Sequence, residues 1–175
     1  VEMPKFAVIV INFSIYYYCR SDSISNIYKK IRCYCGKYGC LEAVASGNAI
    51  ERTSNEILNK ERKSWITAKD AAEMAKNGDS VANKIFHDAG KYIGRSISSV
   101  ANFLNPYKII IGGGVSLAGD LLLIPIKEEF KKQTMEAISN NTKIEISKLG
   151  MNAGVLGAIA LGLNHFIFKP EMGFN

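Results

Sequence analysis

The chain has 175 residues, of which 47% are hydrophobic, 10% aromatic and 22% charged, which suffices for one globular core and excludes wholesale disorder. A net charge of +6 raises nucleic acid as a partner, but Lys and Arg are scattered, and most stand beside acidic neighbours, as in Lys127-Glu128-Glu129-Phe130-Lys131-Lys132. That pattern is a solvated surface, and no helix-turn-helix or RNA-binding signature accompanies it.

Val1 to Arg32 divides into a β-prone run, Phe6 to Phe13, and a polar remainder rich in Tyr and Ser. The run is continuously apolar, which fits either a buried strand or an exposed segment. Phe6 to Tyr18 is too short, and too interrupted by Asn12 and Ser14, to cross a bilayer, which takes about 20 apolar residues. No small-residue cleavage site follows it, so a cytoplasmic protein is expected.

Cys33 to Cys40 is a compact loop in which Gly36 and Gly39 supply the positive φ that a tight turn needs. Leu41 to Lys60 has helical spacing, with a possible break at Gly47-Asn48. Thr67-Ala68-Lys69-Asp70 is a variant capping box opening a short helix that Asn77-Gly78 closes. Asp79 or Ser80 caps the longest element. There Ala82, Ile85, Phe86, Ala89, Ile93, Ile97, Val100, Ala101 and Leu104 keep a three-four spacing until Asn105-Pro106 stops the helix.

Ile109 to Ile111 predicts a buried strand covered on both faces. Gly112 to Gly114 follow, then a helix running to about Met135. Lys143 to Ser147 alternates as a second strand, Gly150 marks a turn, and Ala153 to Gly162 is a small-residue helix suited to close packing. Helices alternating with strands give an α/β fold.

Four cysteines (Cys19, Cys33, Cys35, Cys40) lie in the first quarter of the chain without a secretory pattern, which favours a thiolate metal site over a disulfide scaffold. Cys33, Cys35 and Cys40 suit Zn²⁺, which takes four ligands in a structural site. Cys19 is the nearest other thiol, and His87 and His165 are remote in sequence; incidental thiols are the alternative. Glu42 stands at a helix start, where it either complements the helix dipole or binds a polyol hydroxyl. Gly112, Gly113 and Gly114 sit between strand and helix. They either let the backbone approach an anionic ligand or merely let strand and helix pack tightly. Gly-x-Gly-x-x-Gly fails at Leu117, and no Gly-Lys-Ser/Thr follows. Ser116 is placed to cap a helix from Leu117 and has no His–Asp pair that would make it a nucleophile. His87 falls within the long helix and reads as structural.

Cys33-x-Cys35-Gly36-x-x-Gly39-Cys40-Leu41-Glu42, with Ala45-Ser46-Gly47 behind it, resembles the zinc-loop signature of the ROK family of bacterial sugar kinases and repressors. Asn105-Pro106-x-x-Ile109-Ile110-Ile111-Gly112-Gly113-Gly114-Val115-Ser116-x-Ala118-Gly119 resembles the family's later glycine motif, and Gly150-x-x-Ala153-Gly154-x-x-Gly157-Ala158 its closing helix. The likeness is greatest to glucokinase-type members. It implies that residues 33–163 form the C-terminal lobe of an actin-like (ribonuclease H-like) ATPase fold, with 1–32 unassigned and 164–175 a tail. It also implies ATP-dependent phosphorylation of glucose or another hexose. Glu42 would contact the sugar, Gly112 to Gly114 would line the nucleotide, and Cys33, Cys35 and Cys40 would hold zinc together with a His.

Phosphoryl transfer further needs Mg²⁺, a phosphate-binding Asp-x-Gly-x-Thr turn and an Asp base. Neither the turn, nor the Asn-Asp segment of the base, nor the Gly-x-x-Gly-His stretch occurs in the 175 residues. A truncated member without a catalytic residue of its own is therefore expected, and its three thiols would bind zinc weakly, recruit Cys19 or water as a further ligand, or stay empty. Sugar and ATP are the expected ligands, with no membrane partner. Exposed apolar surface where the other lobe would pack is expected to make the chain either aggregation-prone or a homodimer. A ROK-type sugar-responsive repressor and a non-catalytic remnant are the alternatives.

Overall fold

A computed structural model describes residues 9–12, 31–58 and 64–163. Cys19, His165, the tail and most of the first 32 residues lie outside that set. The elements in chain order are β1 (Ile9–Asn12), α1 (Leu41–Ala45), α2 (Gly47–Leu58), α3 (Ala68–Lys76), α4 (Ser80–Leu104), β2 (Lys108–Gly112), α5 (Asp120–Gln133), α6 (Glu136–Ser139), β3 (Lys143–Ile146) and α7 (Ala153–Leu163). Short 3₁₀ turns at Gly114–Ala118 and Gly150–Asn152 precede α5 and α7.

α4 is the spine, and the sequence dictates its length. Asp79 Oδ1 accepts the Val81 and Ala82 N–H groups, each at 2.9 Å, which satisfies donors that the first turn leaves open. Its apolar stripe is buried at Ala82, Ile85, Phe86, Ala89, Ile93, Ile97 and Ala101, whereas Val100 is half-buried and Leu104, in the last turn, is exposed. Asn105 ends it in the left-handed region (φ 46, ψ 58), a conformation Asn tolerates and the following Pro106 favours over another helical turn. Thr67 and Asp70 form both halves of the capping box on α3, at 3.2 and 2.9 Å. The helical run after the cysteine loop does break, one residue earlier than the Gly47-Asn48 signal, at Ser46.

α4 and α5 approach so closely that only glycine fits between them. A Cβ on Gly90 would stand 2.5 Å from Pro125 Cγ, and one on Gly94 would stand 2.7 Å from the Ile126 carbonyl oxygen. Pro125 lies beyond the first turn of α5, so it removes a helical hydrogen bond. Its ring instead fills the slot over Gly90.

The sheet is parallel, in the order β1-β2-β3, with Ile9 level with Ile109 and Ile109 level with Ile144. Its central strand corrects one expectation. Ile109 and Ile111 are buried with Ile93, Ile97, Leu122 and Ile126 in the main core, whereas Ile110 is only half-buried. Among the described residues, helices thus cover one face of β2 fully, not both. α5 also begins later than expected, at Asp120, because the 3₁₀ turn and Gly119 (φ 64) intervene. Ser116 therefore caps nothing; its hydroxyl donates to the Gly113 carbonyl at 2.7 Å. On α7, Val155, Leu156, Ile159 and Leu163 are exposed in this chain.

Candidate functional site

The cysteine loop is built by two glycines and a pinch. Gly36 (φ 85) and Gly39 (φ 73) adopt the left-handed conformations that their sequence positions predict. The Cys33 N–H donates to the Lys37 carbonyl at 2.7 Å, and the Gly36 N–H to the Cys33 carbonyl at 2.9 Å. Arg32 and Tyr38 form an antiparallel bridge across the neck of the loop. Cys33 and Cys40 are buried and Cys35 is exposed.

The three thiols lie within 4.8 Å of one another, and Cys35 Sγ is 3.6 Å from Cys40 Sγ. Ligands of a tetrahedral zinc with Zn–S of about 2.3 Å stand about 3.8 Å apart. Soft donors at that spacing fit a zinc ion, and no disulfide joins them. Among the described residues no His, Asp or Glu completes the set. His87 is exposed on α4, with Nδ1 at 3.7 Å from Asp88 Oδ1, and is not among the residues that cluster with the thiols.

Cys40 is the residue before α1, and the chain enters that helix directly from the loop. Glu42 is therefore fixed relative to the thiols. Burial pushes its carboxyl above the ordinary glutamate range, against a hydrogen bond with Ser46 that favours ionisation. Ser46 Oγ also accepts the Ala49 N–H at 3.1 Å, which ties the Glu42 network to the start of α2. Glu42 lines a cavity of about 370 Å³ with Cys33, Asn48, Glu51, Arg52 and Trp65. That volume lies within the usual range for small-molecule sites.

Trp65 has no role by sequence, because the contact that places it spans 14 positions. Its Nε1–H donates to Glu51 Oε1 at 2.6 Å. Asn55 pins the adjacent Ile66 through both backbone groups, at 2.7 and 2.9 Å. The only sequence signal was a lone Trp in an otherwise charged connector.

The glycine turn forms a second concavity. Gly112 ends β2 buried; Gly113 has φ 85 and ψ 178, a conformation essentially reserved for glycine; Gly114 is exposed and opens the 3₁₀ turn. Gly114, Val115, Leu117 and Ala118 face α3 across a cavity of about 290 Å³, whose lining includes Lys69, Lys76 and Phe86. Gly47, at the start of α2, lines the same space. α2 thus contributes lining to both the Glu42 cavity and the glycine-turn cavity, although their motifs are about 70 residues apart in sequence.

An α/β domain thus carries a carboxylate-lined cavity beside a thiol loop and a glycine turn at the end of a parallel strand. A match to the ROK family spans residues 24–165, and the chain belongs to that family. It is 40% identical over 135 residues to a glucokinase of Halalkalibacterium halodurans, covering 71% of this chain and 41% of that protein. It is 33% identical over 135 residues to the DNA-binding transcriptional repressor Mlc of Escherichia coli K12, covering 74% of this chain and 33% of that protein. Its fold superposes on a ROK family glucokinase from Streptomyces griseus, solved in complex with glucose and AMPPNP. The TM-score is 0.68 at 30% identity, over 76% of this chain and 47% of that one. The chain spans less than half the length of each of these relatives. No helix among the described residues is long and apolar enough to cross a membrane.

Proposed function

We propose that residues 33–163 are the C-terminal lobe of a glucokinase-type ROK sugar kinase. In this reading the lobe binds a hexose through Glu42 and ATP against Gly112, Gly113 and Gly114. The observation that carries it is the shared helix: α2 contributes lining to both the carboxylate-lined cavity and the glycine-turn cavity. The ionised Glu42 accepts hydrogen bonds from sugar hydroxyls, and its partly desolvated setting strengthens them. The exposed Gly114 lets a ligand approach the backbone, and the space between the turn and α3 is mostly apolar, as suits a nucleobase. Lys69 and Lys76 on α3 are placed to offset phosphate charge.

Cys33, Cys35 and Cys40 would hold zinc as a structural ion, which would fix the entry to α1 and hence Glu42. Mg²⁺, bound with the nucleotide, supplies neutralisation of phosphate charge. The groups that must take the hydroxyl proton and cradle the transferred phosphate do not occur among the 175 residues. This chain by itself is therefore expected to bind ligands without turnover.

Calorimetry of the 175-residue chain with D-glucose and, separately, with AMPPNP tests the reading. Glu42→Gln should weaken glucose about 10- to 100-fold, the loss of a charged hydrogen-bond acceptor, and leave AMPPNP unchanged. Equal glucose affinity in both proteins would refute the role of Glu42. The similarity to Mlc favours a second reading, a sugar-responsive repressor. A longer form of the protein that shifts operator DNA and releases it on adding sugar would select that reading over the kinase.

A further inference from the structure

The Glu42 cavity contains a feature that carbohydrate chemistry uses and that hydrogen bonding to Glu42 does not explain. Trp65 is 65% exposed, which is unusual for the largest apolar side chain in a protein. It is nevertheless not loose. Glu51 Oε1 accepts its indole N–H at 2.6 Å, while Oε2 accepts the Ala68 N–H at 3.3 Å. One carboxylate thus clamps the polar edge of the indole to the start of α3. Asn55 holds the next residue, Ile66, by a paired hydrogen bond with its peptide groups. An aromatic ring fixed at its polar edge keeps its faces available for contact.

The rest of the lining selects the kind of ligand. Glu42 and Asn48 bring a carboxylate and an amide to the cavity lining, beside the Glu51 carboxylate that holds the indole. Arg52 is engaged, donating to the Ala43 carbonyl at 2.9 Å and facing Glu56 at 3.5 Å, so it does not stand ready for a phosphate. Acceptors, an amide and an open aromatic face suit a neutral ring with hydroxyls on its rim and C–H groups on its face. A pyranose has that form.

We propose that Trp65, held by Glu51, is the stacking platform of the Glu42 cavity, and that it makes the site selective for hexopyranoses with a continuous C–H face. This rests on the reading of Glu42 as a sugar ligand and adds a residue and a selectivity to it. Glucose, with equatorial hydroxyls, stacks well. An axial hydroxyl interrupts one face. An open-chain polyol such as sorbitol offers the same hydroxyls to Glu42 and no ring to Trp65.

Trp65 is the single tryptophan of the chain, so its own fluorescence reports on the contact. Titration of the 175-residue chain with D-glucose should change the emission, with the midpoint found by calorimetry. Trp65→Ala should weaken glucose about tenfold and leave sorbitol unchanged, whereas Trp65→Phe, which can still stack, should stay within about threefold. Because the side chain is exposed, circular dichroism should show all variants folded. Unchanged glucose affinity in Trp65→Ala, or no emission change at calorimetric saturation, overturns the platform. If Glu42→Gln still abolishes binding in that case, the reading of Glu42 stands without it. Equal loss in Trp65→Phe and Trp65→Ala also overturns stacking. Absence of glucose binding to the unaltered chain at tens of millimolar overturns both.

Discussion

The Arg95 guanidinium donates to Glu129 Oε1 from both Nε and Nη2, at 3.1 and 2.8 Å, and so spans the seam between α4 and α5. Glu129 is 4% exposed and Arg95 is part-exposed. Burial pushes the Glu129 carboxyl up, but hydrogen bonds from Arg95 and Gln133 and the nearby positive charge outweigh it and hold the group below the ordinary glutamate range. Arg95→Leu strands a buried carboxylate. It should cost about 2–3 kcal/mol at pH 7, less than for a fully buried pair because Arg95 is partly solvated.

The sign of the pH dependence follows from that depressed value. A carboxyl that titrates lower in the folded state stabilises the fold fully above its unfolded pKa, about 4.3. That contribution disappears as pH falls through the folded value. Urea unfolding of the parent chain and of Arg95→Leu should differ most near neutrality and converge as Glu129 becomes protonated. A gap that is constant down to pH 3 would show that packing, not charge, holds the seam.

Two glycine replacements should move stability in opposite directions. Gly94→Ala drives a methyl to 2.7 Å from the Ile126 carbonyl and 2.9 Å from Glu129 Cβ, which should cost about 1–3 kcal/mol as the helices separate. Gly157→Ala, in α7, meets nothing within 4 Å and should gain up to about 1 kcal/mol of helix propensity. Thermal unfolding of the two variants beside the parent checks both.

The glycine turn can be divided in the same way. Gly113→Ala forces a side chain into φ 85, ψ 178 and should destabilise by about 1–3 kcal/mol whatever the turn binds. Gly114→Ala keeps the backbone unstrained but puts a methyl on the exposed entrance. It should leave unfolding unchanged and weaken AMPPNP in calorimetry. Unaltered AMPPNP binding in Gly114→Ala would assign the turn to packing.

For the thiols, one zinc per chain is the expected metal content. Chelation should lower the melting temperature by several degrees, since metal binding is linked to folding. Cys35→Ser should lose the metal while leaving the apoprotein as stable as the parent, because Cys35 is exposed. Cys40→Ser should lose metal and also destabilise the apoprotein, because Cys40 is 2% exposed. A metal content that survives Cys35→Ser would remove that thiol from the set.

Much of the frame is readable from local chemistry. Asp79, the apolar stripe and Asn105-Pro106 define α4 at both ends, and Thr67 with Asp70 fixes the start of α3. Both are signals carried within a few residues. A helix capped by Ser116 and starting at Leu117 is not what forms, because Gly114–Ala118 closes as a 3₁₀ turn and Gly119 separates it from α5; a hydroxyl residue before an apolar one does not distinguish the two helix types. The half-open side of Ile110 was misread because three consecutive isoleucines state hydrophobicity but not which faces have partners. In the site, the clustering of Cys33, Cys35 and Cys40 was legible from spacing alone. The placing of Trp65 was not, since Glu51 and Asn55 reach it from another helix.

The parallel pairing of Ile9 with Ile109 has a consequence during synthesis. β1 leaves the ribosome about a hundred residues before the strand it pairs with, a wait of roughly 5 to 20 s at ordinary elongation rates. The helices between them can form locally within microseconds, so the helical layer precedes the sheet. Throughout that interval the β1 edge is an unpaired template open to other chains. Translation speed across the stretch between α1 and β2 therefore sets how long the nascent protein is exposed, and with it the soluble yield in a cell.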